Sequence, residues 1–414
     1  MKVLLIHPPH SNSLDDRLDP PMGLLYIAAH LEDNNIDVNI LDLSGHSQWR
    51  IPYADIYGIT AYVSTLDITK KIFEECRSSN PQSYIVIGGA HATARPADFS
   101  YADQVVQGYG ELPMLKICGV NKSSVDLFKF PSYHLVDIHS YSRRIDGNPS
   151  LSFLTSRNCP FKCAFCGMSP MHKDSKKIYM MDAEKAASQI ARIKDEFGID
   201  RINIQDDIFT MNRKRLFKLL DLIKPLNIKF RCHGRAGYDI EETYARLAES
   251  GCDQVAWGIE SGSQLILDRM NKQCNVQDNI NVIKWAKKYG ITTRAFFIIG
   301  FPGETAETLE ETKRFIEMTD IDQVFVSNMI PYPGTDVGDY PEKYGIIKKY
   351  NDYSQYYQVG KDGSGGLLDF DTYWLTREEF RDLEIKFREW IFRDKSIRGS
   401  LQNYEKKLYK KYGE

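Results

Sequence analysis

The sequence lacks any apolar run long enough to cross a bilayer, which takes ~20 residues, so no membrane span is expected. It lacks a charge bias as well. Lys and Arg number 53 against 56 Asp and Glu, a formal net charge of -3, and without a polybasic footprint no nucleic-acid partner is expected. Cysteine is scarce, with 8 in 414 residues. A chain of this length buries enough core to do without a disulfide framework. Close internal self-similarity is also missing, so any repetition is architectural. The opening apolar stretch, residues 1–7, is stopped by Pro8-Pro9. It reads as a buried strand rather than a secretory leader, and a cytoplasmic location is expected.

What is present divides the chain into an α/β protein of several parts. In residues 1–125, short apolar runs (3–6, 38–41, 56–59, 84–87) alternate with helical stretches such as 23–32 and 66–78. This pattern predicts a parallel, doubly wound, Rossmann-like sheet whose ligand-binding loops follow the strands on one edge. Residues 126–150 contain few apolar side chains and read as a linker, partly ordered against its neighbours. Residues 151–336 repeat a strand–helix unit about six times, with candidate strands at 151–155, 201–205, 229–232, 253–257, 292–298 and 321–327. Serial units of this kind predict a partial (β/α)6 barrel of TIM type. Within it, residues 182–197 form an amphipathic helix with Asp182 as N-cap and Gly198 as terminator. Residues 337–414 are irregular and then helical. They hold the tyrosines 350, 353, 356 and 357, a glycine-rich run at 360–366, and a capping box of Thr376 and Glu379 before a helix carrying Phe380, Leu383, Ile385, Phe387, Trp390 and Ile391. The tail after Lys395 is expected to fray.

Three of the eight cysteines fall together, in Asn158-Cys159-Pro160-Phe161-Lys162-Cys163-Ala164-Phe165-Cys166. They follow the first predicted barrel strand and so lie at the catalytic face. Thiolates three and four positions apart can wrap one compact metal cluster. A [4Fe–4S] cube held by three cysteines keeps one iron open. The competing structural-zinc reading wants a fourth Cys or His nearby. His172 is the nearest histidine downstream, at an awkward spacing.

This segment resembles the signature of the radical S-adenosylmethionine (SAM) superfamily, cysteine-x3-cysteine-x2-cysteine with an aromatic, here Phe165, before the last cysteine. The resemblance implies a [4Fe–4S] cluster on Cys159, Cys163 and Cys166, whose open iron binds SAM and cleaves it to a 5′-deoxyadenosyl radical. Other stretches share the likeness. Gln205-Asp206-Asp207 stands where family members carry a polar or acidic patch for the SAM amino group, although the usual Gly-Gly-Glu is absent; an acid pair at a helix start is the alternative. Arg235 is a candidate for the SAM carboxylate, with a surface ion pair as its alternative. Glu260 and Ser261, in Gly258-Ile259-Glu260-Ser261-Gly262, resemble a Gly-x-Glu-Ser-Gly stretch near the SAM ribose or methionine. Gly300 begins Gly300-Phe301-Pro302-Gly303-Glu304-Thr305, which resembles the segment that approaches adenine, and Glu304 is equally read as a helix cap.

The first part resembles the cobalamin-binding domain fused to one radical SAM subgroup. The likeness rests on Pro20-Pro21-Met22-Gly23-Leu24-Leu25, on Gly88-Gly89-Ala90-His91 and on Gln107-Gly108-Tyr109-Gly110-Glu111. It implies cobalamin as a third group, with Pro21, Met22, Gly23, Thr60, Ser64, Thr65, Gly88, Gly89, His91 and Gly108 as candidate contacts. Ordinary turn chemistry is the alternative for each. The Asp-x-His-x-x-Gly motif that gives cobalt an imidazole in other cobalamin proteins is absent, so cobalt held without a protein histidine is expected.

Together these likenesses imply a cobalamin-dependent radical SAM methyltransferase acting on an unactivated carbon of a peptide, protein or natural product. They also imply an external flavodoxin- or ferredoxin-type electron donor and a monomer. A radical SAM cyclase or ring-rearranging enzyme on the same scaffold is the first alternative, and a non-enzymatic iron–sulfur sensor or electron carrier the second.

Overall fold

The structure is a computed structural model, described over residues 1–10, 15–172, 177–357 and 366–393. It divides into two compact units, Met1–Arg143 with Gly167–Tyr179, and Arg144–Cys166 with Met180–Glu414.

In the first unit, strands β1 (Lys2–His7), β2 (Asp37–Asp42), β3 (Ile56–Thr60), β4 (Tyr84–Gly88) and β5 (Gln104–Val105) form one parallel sheet in the order β2-β1-β3-β4-β5. Val3, Leu4, Leu5 and Ile6 are all buried because both faces of the sheet are covered. Leu4 and Ile6 join Ile59, Ile72, Ile85 and Ile87 on one face, while Val3 and Leu5 join Leu24, Ala28 and Leu31 on the other. Burying one such aliphatic side chain is worth about 2 kcal/mol, so these four side chains tie the sheet to both of its layers. Residues 126–143 still add apolar side chains to the interior. Phe128, Tyr133 and Tyr141 are buried, and the Tyr141 hydroxyl donates to Asp42 at 2.6 Å.

The second unit is built on six parallel strands that neighbour one another in chain order: Leu151–Phe153, Arg201–Ile204, Lys229–His233, Cys252–Glu260, Thr292–Ile299 and Gln323–Asn328. The first and sixth are the edges, so the barrel is an open arc. Helices between the strands bury one face each; on Ala183–Phe197 that face holds Ala183, Ala186, Ala187, Ile190 and Ile193. Gly198 closes this helix in the left-handed region, at φ 66°. Asp182 holds the N-cap position, but its side chain makes no capping hydrogen bond, a departure from the sequence expectation. The fourth strand extends to Glu260 rather than stopping near Trp257, because a register shift between Gly258 and Glu260 lets pairing continue past the irregularity.

Beyond the barrel, Ile346–Lys349 pairs antiparallel with Phe370–Thr372. Helix Arg377–Arg393 starts on the expected capping box: the Thr376 N–H donates to Glu379 and the Glu379 N–H donates to the Thr376 hydroxyl. Phe380, Phe387 and Ile391 are buried, whereas Ile385 is 38% exposed and lies off the apolar face. Buried Glu384 accepts from Asn328 of the sixth strand and from Arg388, which anchors the helix to the barrel. Most of the glycine-rich run and the tail after Lys395 lie outside the described residues. Among the described residues no helix is long and apolar enough to cross a membrane.

Candidate active site

The cysteine loop leaves the first barrel strand and is held at its base and its tip. At the base, the fully buried Asp206 carboxylate accepts the Thr155 N–H, the Thr155 hydroxyl and the Ser156 hydroxyl, each at 2.6 Å. Arg215 bridges the same turn, donating to the carbonyls of Met181 and Thr155. At the tip, the Ala164 N–H donates to Met270, the Ala164 carbonyl accepts from Val337, and the Asn271 amide donates to Lys162. Loops are ordinarily the mobile part of a barrel; here four other segments fix one.

Cys159, Cys163 and Cys166 are free thiols on this loop, Cys163 buried and the other two partly so. Burial pushes the Cys159 thiol up; nearby Asp207 adds to this and Arg235 opposes it. Three thiols with cationic neighbours fit an iron–sulfur cluster by donor chemistry. Among the described residues no three His, Cys, Asp or Glu side chains converge as a single-ion site, and a cube in which each iron takes its own thiolate does not ask for that convergence.

Around the loop, the other expected residues divide into two groups. Arg235 and Glu260 are tied to the cysteines through charge. Arg235 is buried, not a surface ion pair; it stacks on Phe161 at 3.4 Å and donates to the Lys272 carbonyl. Glu260 takes a left-handed backbone, φ 69°, and meets Lys272 Nζ at 3.0 Å with both side chains buried. That ammonium lies 5.9 Å from the Phe165 ring. Burial opposes its charge, but Glu260 and Cys163 outweigh that and hold its pKa above the ordinary value. Gln205 donates to the Ser152 hydroxyl on the first strand. The remainder are engaged by the protein itself. Asp206 sits beneath the loop. Ser261 is 3.1 Å from the Thr312 hydroxyl and accepts from the Ser263 N–H. Gly300 adopts φ 78°, and a β-carbon there would meet Phe380 at 2.8 Å, so on that side its backbone approaches the C-terminal helix. Glu304 does not cap: the N-cap of helix Ala306–Thr319 is Thr305. The Glu304 carboxyl is buried, accepts Gly300 N–H and Thr308 hydroxyl, and is pushed up to about 7 by burial.

Sequence reasoning missed Lys272, twelve positions beyond Glu260 and in no periodic pattern; only the fold sets it beside the loop. It also gave no separate weight to Asp207. Burial, with Asp206 adding, pushes the Asp207 carboxyl up to about 6, against a hydrogen bond from the Asn158 backbone.

In the first unit, Thr60, Ser64 and Gly108 stand at the carboxyl edge of the sheet. Ser64 lies 3.3 Å from His10 Nδ1. Gly108 has φ 75° and nothing within 4 Å of the place a β-carbon would take. Gly23 is equally open, with Pro21 as the residue before helix Met22–Glu32. Other candidates are taken up internally. A β-carbon on Gly89 would meet Thr60 at 2.7 Å and the Ala61 backbone at 2.9 Å. His91 is buried against Asp98, 2.8 Å away. Thr65 closes a turn with Tyr62.

A parallel first unit and an open six-stranded barrel with three thiols after its first strand define a radical SAM protein with an accessory α/β domain. Residues 153–316 match the radical SAM superfamily and residues 19–117 match the B12 binding domain. The chain is 31% identical over 385 residues to an uncharacterized methyltransferase of Pyrococcus horikoshii, covering 82% of this chain and 83% of that protein. It is 26% identical to the anaerobic magnesium-protoporphyrin IX monomethyl ester cyclase of Rubrivivax gelatinosus, over 89% of this chain and 76% of that one. In fold it is similar to the radical SAM methyltransferase TsrM from Kitasatospora setae, solved with cobalamin and a [4Fe–4S] cluster bound, with a TM-score of 0.66 at 18% identity over 83% and 79% of the two chains. The chain belongs to the radical SAM superfamily, among the enzymes that carry a B12 binding domain.

Proposed function

We propose that the chain is a cobalamin-dependent radical SAM methyltransferase that modifies an unactivated carbon. In this reading Cys159, Cys163 and Cys166 would hold a [4Fe–4S] cluster that supplies the SAM site, and the carboxyl edge of the first unit would hold cobalamin. The observation that carries it is the pinned three-thiol loop after the first barrel strand, in one chain with a domain that matches the B12 binding family. When bound, these groups supply an electron to the sulfonium, a carbon-centred radical and a transferable methyl group.

The residues contribute position and charge. Asp206 sets the loop base. Arg235 and Lys272 bring two buried cations beside the thiolates, where they offset the negative charge of a cluster and suit a carboxylate ligand. Asp207, which acts on Cys159, and Glu260, paired with Lys272, are the carboxylates this reading assigns to an amino group or a ribose hydroxyl. Burial of Arg235, Glu260 and Lys272 keeps water from the centre. The substrate is a peptide or protein side chain or a natural product, the electron donor a small flavodoxin- or ferredoxin-type protein, the protein a monomer and its compartment the cytoplasm.

The test is anaerobic incubation of reconstituted protein with SAM, reductant and hydroxocobalamin, followed by mass analysis of candidate peptides and metabolites. A product heavier by one methylene, formed only with cobalamin, supports the reading. Cyclisation is the second reading, favoured by the cyclase relative that spans most of this chain; a product that loses hydrogen without gaining carbon would establish it instead.

A further inference from the structure

Arg235 follows the third barrel strand, Lys229–His233, and its backbone and its guanidinium are held by different parts of the fold. The Arg235 N–H donates to the Asp239 carboxylate at 3.1 Å, and the Asp239 N–H donates back to the Arg235 carbonyl at 3.2 Å. The same carboxylate oxygen accepts the Tyr244 hydroxyl at 2.7 Å, and that hydroxyl accepts the Trp257 indole N–H at 3.1 Å. Asp239, Tyr244 and Trp257 are all buried. Gly234 permits this packing, since a β-carbon there would meet Trp257 Nε1 at 2.7 Å and the Asp239 carboxylate at 2.8 Å. One buried chain of hydrogen bonds thus runs from the fourth strand, through helix Glu241–Glu249, to the turn that carries Arg235.

The guanidinium is fixed as well. It stacks on Phe161, 3.4 Å from the ring centre, and donates to the Lys272 carbonyl. Phe161 lies between Cys159 and Cys163. The stack therefore sets a positive charge against the cysteine loop, where it acts on Cys159 and Asp207 opposes it. The two buried cations near the thiols are not equivalent. Lys272 is compensated by Glu260 at 3.0 Å. Among the described residues no carboxylate forms an ion pair with the Arg235 guanidinium. A buried cation without an anionic partner is destabilising. A fold that aims one at three thiols through buried hydrogen bonds points to a negative group there.

We propose that Asp239 and Tyr244 are positioning residues that act through Arg235: they fix its guanidinium on Phe161 and so raise the reduction potential of the cluster held by Cys159, Cys163 and Cys166. The inference rests on the proposed cluster. Reduction adds one negative charge to such a centre, and a fixed cation nearby stabilises the reduced form more than the oxidised one. A planar guanidinium suits this task because it stacks on an aromatic face while keeping its charge. Loosened from that stack toward water, the same charge would be screened and most of the effect lost.

The experiment is an anaerobic redox titration of the full chain, reconstituted with iron and sulfide and without SAM, in which electron paramagnetic resonance reads the reduced cluster. It compares the wild type with Tyr244→Phe, Arg235→Gln and the double variant. In Arg235→Gln the ratio of reduced to oxidised cluster at a fixed potential should fall on the order of tenfold, which is about 59 mV for one electron. Tyr244→Phe changes no charge, so it should lower the midpoint only by loosening Arg235. Its shift should be smaller, in the same direction, and absent when the double variant is compared with Arg235→Gln. An unchanged or higher midpoint in either single variant would overturn the inference. So would a Tyr244→Phe shift of equal size in both backgrounds, which is what a merely structural residue would give. Tyr244→Phe removes one oxygen and decides the question even if Arg235→Gln assembles no cluster. Wild-type protein that takes up no iron would instead remove the cluster reading itself, and the inference with it.

Discussion

Replacing Asp206 by Asn separates a residue that holds the cluster loop from one that touches SAM. The carboxylate accepts three hydrogen bonds from Thr155 and Ser156, all at 2.6 Å. An amide of the same shape keeps one acceptor oxygen. If that oxygen faces the Thr155 N–H, the NH2 meets two hydroxyls, which can rotate to accept. The opposite orientation sets NH2 against a backbone donor. In the better orientation three charge-assisted bonds become neutral ones, a loss of about 1 kcal/mol each. Burial pushes the Asp206 pKa up in spite of those bonds, so relief of carboxylate desolvation returns part of the loss. The net expectation is about 2 kcal/mol of lost stability. Asp206→Ala, which strands all three donors, should cost roughly 3–5 kcal/mol. The assay is urea denaturation of anaerobic apo-protein, paired with iron content after reconstitution and the rate of SAM cleavage. Because Thr155 and Ser156 lead directly into Cys159, iron content and SAM cleavage should fall together. A variant with a full complement of iron and normal stability, but slow SAM cleavage, would refute the loop-holding role and return Asp206 to the SAM-binding set.

Other perturbations probe other elements. Glu304 is raised from 4.5 to about 7 by burial, so the folded state keeps a proton that the unfolded chain has released. Its contribution is whole below about pH 4.5 and is lost as the pH rises to about 7, a change on the order of 3 kcal/mol. Thermal unfolding should show that slope in the wild type and a flatter one in Glu304→Gln, with the variant melting higher at about pH 8; parallel curves would remove Glu304 as the source. Lys272→Met leaves buried Glu260 without its partner and should cost about 3–5 kcal/mol, read as a shift in the urea midpoint. Adding Glu260→Gln should restore part of that loss, and additive losses would deny the pairing. In the first unit, Gly89→Ala collides with Thr60 and Ala61 while Gly108→Ala meets nothing within 4 Å. The first should cost several kcal/mol and the second only the left-handed strain of about 1 kcal/mol, measured by thermal unfolding. The Cys159, Cys163 and Cys166 to Ala triple variant should lose the charge-transfer absorption of reconstituted protein, and its persistence would move the cluster elsewhere.

Much of the architecture was legible before the fold was known, because it depends on short-range pattern. The β1, β3 and β4 runs read as strands since each is short, largely apolar and mostly buried, and Gly198 ended its helix because a left-handed residue was needed there. The cysteine spacing is likewise local: three thiols within eight residues must share one loop in any fold. Side-chain partnership across the barrel was not legible. Asp206 and Asp207 are adjacent in the chain and look equivalent, yet one lies beneath the loop and the other beside its thiols, since successive residues leaving a strand turn to different sides. Gly300 and Ser261 looked like ligand contacts from their motifs but are engaged by Phe380 and Thr312, residues distant in sequence. Lys272 carried no signal because its meaning comes only from burial beside Glu260. The amino-acid sequence by itself therefore determined the two kinds of α/β unit and the three-cysteine loop. The tertiary structure decided which charged groups are buried together, because burial and pairing arise between segments far apart in the chain.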